Sequence, residues 1–142
     1  MPDPAPADLA DLLHGATRAF RHAVRAAGGP LPPHQGRALH VVCEEGAVRP
    51  ARLAERLHVT PRSVTDVVDA LVEAGFVRRE QDPDDRRAQL VRPTDAGRAA
   101  EARSRVVRVE VAEEFFGGLA PAERTELAAL LSRLARGDAS GR

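Results

Sequence analysis

The chain has 142 residues, 21 Arg and 21 acidic side chains that cancel formally, one cysteine, and four phenylalanines with no tyrosine or tryptophan. That length suits one compact domain, or a small lobe with arms that join a partner chain, and no apolar run reaches the roughly eighteen residues that a membrane span needs. The lone Cys43 excludes an intramolecular disulfide framework and favours a reducing, cytoplasmic setting.

The start, Met1-Pro2-Asp3-Pro4-Ala5-Pro6, lacks the basic residues and apolar block of a secretion signal. From Ala7 to Ala27, Leu9, Leu12, Leu13, Ala16, Phe20, Ala23 and Val24 recur at three- and four-residue steps, which predicts an amphipathic helix. Gly28-Gly29-Pro30 ends it. Pro32-Pro33 opens a second helix that runs to about Glu45 through Ala38, Leu39, Val41 and Val42. Val48 and Arg49 read as a short extended link. A third helix is expected from Pro50 to His58, with Leu53, Ala54 and Leu57 facing inward. Thr60 is then an N-cap and Pro61 a first helical residue, so a fourth helix begins after a tight turn. Its inner stripe is Val64, Val67, Val68 and Leu71, and Gly75 closes it.

At Phe76 the period changes. Phe76 to Gln81 and Ala88 to Arg92 read as strands around the turn-rich Asp82-Pro83-Asp84-Asp85-Arg86-Arg87, a β-hairpin with a charged tip. Thr94 caps a long helix expected to reach about Phe116, Gly117-Gly118 breaks it, and a last helix spans Pro121 to Arg136. The expected class is mainly α: about six helices with a β-hairpin wing, a winged helix-turn-helix.

In that arrangement a helix enters the major groove, its N-terminal residues touch base edges, and its partner helix braces it. The hairpin projects beside it, where an Arg at the tip can enter the negative minor groove. Zero net charge argues against nucleic acid, yet the location of charge matters more than its sum. All 21 basic residues are Arg, the side chain whose planar fork suits phosphates and guanine edges, although codon bias in a GC-rich genome accounts for the same inventory more readily.

Four stretches carry a specific resemblance: Leu53-Ala54-Glu55-Arg56-Leu57; Val64 through Arg79; Asp82-Pro83-Asp84-Asp85-Arg86-Arg87-Ala88; and Pro93-Thr94-Asp95-Ala96-Gly97-Arg98. Together they resemble the MarR family of bacterial winged helix-turn-helix transcriptional regulators, over nearly the whole chain. The resemblance implies a triangular homodimer with the first, fifth and sixth helices interlocked. Such a dimer binds a pseudo-palindromic operator in double-stranded DNA, commonly as a repressor, and leaves it when a small aromatic or phenolic ligand binds. The expected division is an N-terminal dimerisation helix at 7–33, a DNA-binding lobe at 34–93 and C-terminal dimerisation helices at 94–137. The chain departs from many relatives in carrying Asp66, rather than a base, just after the Thr of the recognition helix, with Asp69 as a second acid.

Candidate DNA-contacting residues are Thr60, Arg62, Ser63, Thr65 and Asp66 around the recognition helix, Arg86 and Arg87 at the wing tip, and Arg49 and Arg52 as phosphate clamps. Asp85 is expected to pair with Arg87 and hold its guanidinium for the minor groove. His14, Arg18, Phe20 and His40 are candidates for the border of a ligand cleft between dimer helices and lobe. His40, Cys43 and Glu44 share a helix at metal-ligand spacing, but the fifth helix offers no His to complete a site, so no metal or cofactor is expected. The alternatives are a redox- or metal-sensing regulator using Cys43, and a winged helix used as a protein-interaction module. No catalytic motif is present: there is no Gly-x-Ser-x-Gly, no phosphate-cradling Gly loop and no His-Glu-x-x-His.

Overall fold

A computed structural model describes residues 2–137. In chain order it contains α1 (Pro6–Ala26), α2 (Pro33–Glu45), α3 (Pro50–Leu57), α4 (Pro61–Glu73), β1 (Val77–Gln81), β2 (Gln89–Pro93), α5 (Asp95–Phe116) and α6 (Pro121–Ala135). A proline opens α1, α2, α3, α4 and α6. Its fixed φ is preorganised for a first helical turn, and its missing N–H is one that no helix would use there. The fifth helix starts instead on a side-chain cap, with the Gly97 N–H donating to Thr94 Oγ1 at 3.0 Å.

The lobe between α2 and β2 builds its own core. Leu39, Val42, Val48, Leu53, Val64, Val68, Leu71 and Val91 are all fully buried, and Ala100 of α5 joins them. The hairpin is antiparallel, with Val77 opposite Pro93 and Gln81 opposite Gln89. Val48 adds a third rung to β2: it donates to the Val91 carbonyl at 3.0 Å and accepts from its N–H at 2.8 Å. The extended link thereby anchors the wing to the front of α3.

The expected boundaries differ by a residue or two, each for a visible reason. His58 is not the last residue of α3 but its C-cap, left-handed at φ 54°. That conformation turns the chain into α4 within a few residues, where the Ser63 N–H donates to Thr60 Oγ1 at 3.2 Å. Ala74 is the C-cap of α4, and Gly75 (φ 78°) follows as the left-handed residue. Phe76 lies outside β1 because its N–H is spent closing α4 on the Leu71 carbonyl at 2.9 Å. Ala88 stays in the turn, its N–H donating to the Asp85 carbonyl at 3.0 Å.

α5 is set onto the lobe at Gly97. A Cβ there would stand 1.9 Å from the Phe76 carbonyl oxygen, so only glycine permits the approach. Thr94 Oγ1 also donates to the Gly75 carbonyl at 2.6 Å. By contrast α1 and α6 contain no buried residue. Phe20 of α1 meets Phe115 and Phe116 at the end of α5, with ring centroids 5.4 and 6.1 Å apart.

Candidate nucleic-acid interface and adjoining cavity

The near-zero charge of the lobe resolves into pairs and a remainder. Arg49, Arg52, Arg56, Arg78, Arg79 and Arg92 all have carboxylate partners. Arg56 clamps α3 to α2 through Glu44 at 2.8 Å and Glu45 at 2.7 Å, holding the Glu44 carboxyl below the usual range. Arg79 ties β1 to Asp69 of α4, and Glu80 bridges Arg78 and Arg92 across the hairpin. Between residues 49 and 92, the arginines with no ion pair among the described residues are Arg62, Arg86 and Arg87, and all three are exposed. One stands in the first turn of α4 and two at the wing tip.

On α4, Ser63 and Thr65 are exposed, as is Asp66. Both hydroxyls already have local partners: Ser63 Oγ lies 3.0 Å from Thr60 Oγ1, and Thr65 Oγ1 donates to the Pro61 carbonyl at 3.1 Å. Each keeps further hydrogen-bonding capacity toward a ligand.

The wing tip is organised by its acids, though not in the expected way. Asp85 does not pair with the Arg87 guanidinium; its Oδ1 accepts from the Arg87 backbone N–H at 3.0 Å. This is the two-residue reach of an Asx turn, which a short carboxylate makes more readily than it meets a long side chain's end. The Gln81 amide donates to the Arg86 carbonyl at 2.9 Å. Asp82 is buried at 5% exposure and is the hub. Its carboxylate accepts from the Asp84 N–H at 2.9 Å and from Arg49 Nε and Nη2 at 3.0 and 2.6 Å. The Asp84 amide, then Arg49, hold the Asp82 carboxyl below its ordinary value.

Arg49 therefore fastens the wing base through Nε and Nη2, with about half of its side chain still exposed. Arg52 is more loosely held, 3.4 Å from Glu45 and 3.6 Å from Glu55. Sequence reading missed the Arg49–Asp82 tie because nothing local joins residues 33 positions apart.

Beside the lobe, α1, α2, α5 and the turn into α4 enclose a cavity of about 650 Å³. Phe20 and His40 line it, whereas His14 and Arg18 are exposed on α1 and do not. Ser63 and Val67 bring the recognition helix α4 to the same wall, with Val59 of the preceding turn. Ser104 Oγ, on α5, is buried with no hydrogen-bond partner among the described residues.

His40 faces Glu101 of α5, with its Nδ1 2.9 Å from Oε1. Burial raises the Glu101 carboxyl, but His40, Arg105 and Arg108 together outweigh it and leave the group below its ordinary value. The Cys43 thiol is pushed up, by burial first and then by Glu101, the opposite of an activated thiolate. Among the described residues, no three His, Cys, Asp or Glu side chains are grouped to hold a metal ion, and no helix is long and apolar enough to cross a membrane.

Comparison with known proteins agrees with this geometry. The MarR family profile matches residues 31–88. A putative transcriptional regulatory protein for the hcr operon of Thauera aromatica is 31% identical, over 95% of this chain and 90% of its own. Among solved structures, a cysteine mutant of MarR from E. coli complexed with operator DNA aligns with a TM-score of 0.83 at 25% identity, covering 89% of this chain and 93% of that one. The fold is also that of Bordetella bronchiseptica BpsR, whose DNA binding is regulated by 6-hydroxynicotinic acid (TM-score 0.84, 24% identity, 95% of this chain and 98% of that one).

Proposed function

This chain belongs to the MarR family of winged helix-turn-helix transcriptional regulators, and we propose that it binds a pseudo-palindromic operator as a homodimer, represses from it, and is released by a small organic ligand. The observation that carries the DNA reading is the remainder of unpaired arginines. Ion pairs absorb most of the lobe's charge, and what is left stands where a winged helix meets DNA. Arg62, Ser63 and Thr65 read base edges in the major groove, and Arg86 and Arg87 enter the minor groove. Thr60 caps the recognition helix and orients its first turn.

Dimerisation is supported by the apolar faces that one copy leaves open. On α1, Leu9, Leu12 and Leu13 are 50–65% exposed, and on α6 Leu130, Leu131 and Leu134 are 40–57% exposed. Residues 7–33 and 94–137 then serve as the dimer arms, and a two-fold axis would bury both stripes at once. Ligand release is supported by the cavity, whose walls come from the arms on one side and the recognition helix on the other.

Gel retardation with DNA upstream of the chain's own gene, against a random duplex of equal length at matched salt, tests the function. Preference for the upstream DNA is expected; equal retardation of both would defeat sequence-specific regulation at that site. Sedimentation at micromolar concentration should show a dimer, and a lone 15.2 kDa species would defeat the assembly.

A further inference from the structure

The cavity lining has an unusual charge inventory for a chain with as many acids as bases. Arg21, Arg25, Arg37 and Arg108 line it together with His34 and His40, and no carboxylate does. Among the described residues, Arg21, Arg25 and Arg37 have no ion pair, and the buried Ser104 hydroxyl has no partner. A cavity with cationic walls and an unanswered donor fits an anion.

Two of these groups, His40 and Arg108, are nonetheless already engaged, from behind. Glu101, 6% exposed and outside the lining, holds His40 Nδ1 at 2.9 Å and Arg108 Nη2 at 3.2 Å on the same oxygen, Oε1. His40 belongs to α2 in the lobe, whereas Glu101 and Arg108 belong to α5. The carboxylate thus ties the DNA-binding lobe to the dimer arm using two groups that also face the cavity. Its other oxygen has a fallback in Arg105 at 3.6 Å, and Arg98 lines the same shallow recess.

We propose that Glu101 is an internal counterion occupying the anion seat, and that an organic anion entering the cavity displaces it from Arg108 and His40 and so unlatches the lobe from α5. This rests on the cavity being the effector site. The exchange conserves charge: one carboxylate replaces another at Arg108 and His40, while Glu101 falls back on Arg105. Its cost is the broken bond between α2 and α5, which is where the effector's binding energy reaches the recognition helix.

The exchange makes a prediction of definite sign. Glu101→Gln keeps the shape and the acceptor oxygen but removes the competing charge, so it should bind an anion more tightly. The probes are benzoate and 6-hydroxynicotinate, each against its neutral amide, measured by calorimetry on the full-length protein without DNA. Both acids should bind the Glu101→Gln protein at least about fivefold more tightly than wild type, with the amides unmoved. A residue that merely shaped the cavity would weaken acid and amide alike. In the unmutated protein, the His40 ring nitrogen-15 resonances should shift with acid and not with amide, which keeps the test valid if the variant folds poorly. Acid affinity unchanged or reduced in Glu101→Gln, His40 resonances indifferent to the acid, or no acid binding to either protein would each overturn the exchange. Failure of the gel retardation above would instead remove the DNA reading and leave these binding results standing.

Discussion

The winged lobe and the flanking helices use the same residue to opposite ends. Leu39, Leu53 and Leu71 of the lobe are 0% exposed, whereas Leu12 of α1 and Leu134 of α6 are 65% and 57% exposed. All sit on amphipathic helices with an apolar stripe at three- and four-residue spacing. Periodicity therefore reports which face of a helix seeks cover, not where the cover comes from. In the lobe α2, α3, α4 and the hairpin cover one another; for α1 and α6 one chain supplies too little.

The sharpest way to break that comparison is to truncate a leucine in each region. Leu39→Ala should cost about 2–5 kcal/mol, because a fully buried site loses both transfer energy and packing. Urea unfolding should show that loss at any protein concentration. Leu12→Ala should instead lower stability most in dilute protein if, as proposed, a second copy covers that stripe. Equal, concentration-independent losses at both sites would mean that α1 is covered within one chain.

At the joint between the regions, Gly97→Ala should cost about 1–3 kcal/mol, or more, because the obstacle is the Phe76 backbone and not a mobile side chain. The start of α5 would have to lift, straining the Thr94 cap that also holds Gly75. Thermal unfolding measures this, and an unchanged midpoint would show that α5 can ride freely on the lobe.

Two arginines within the lobe extend the contrast from apolar cover to charge. Arg62→Ala should cost about 1–3 kcal/mol on operator and far less on random duplex, with thermal stability unchanged. Arg49→Ala should do the reverse, lowering the unfolding midpoint by leaving the buried Asp82 carboxylate on backbone donors alone. Loss of DNA affinity from Arg49→Ala without loss of stability would mark it as a phosphate clamp.

What could be read from the chain was whatever is local. Prolines at helix starts, Thr60 and Thr94 as caps, Gly75 at a helix end and the Asp-Pro turn each act within a few residues, so the order and nearly the bounds of all eight elements were legible. Exposed arginines in the first turn of α4 and at the hairpin tip were legible for the same reason. Ties across the fold were not. Asp82 had the look of one more solvated turn acid, yet it is buried under Arg49; His40 and Glu101 are 61 positions apart. His14 and Arg18 follow from the helix being near the cavity, but Thr17, Phe20, Arg21 and Val24 mark the strip of α1 that faces it.

The finest discrimination lies at the wing tip, where the effect is smallest and its sign carries the information. Asp85 places a negative charge beside a polyanion, so long-range electrostatics alone predicts that removing it strengthens binding. Its carboxylate also accepts the Arg87 N–H at 3.0 Å, which holds the backbone from which the unpaired guanidinium projects. Losing that bond should cost about 0.5–1.5 kcal/mol of tip order, spent when DNA binds. Two substitutions separate these contributions. Asp85→Asn keeps an acceptor oxygen for the turn and removes the charge, so it should bind operator as well as wild type or better. Asp85→Ala removes both and should bind more weakly than Asp85→Asn at the same salt. Raising ionic strength should narrow the gain from Asp85→Asn, which is electrostatic, and leave the difference between Asn and Ala nearly constant, because the turn is a short-range bond. If Ala and Asn bound equally well at every salt concentration, the acid would contribute only its charge, and the two arginines would reach DNA from a tip that needs no internal support.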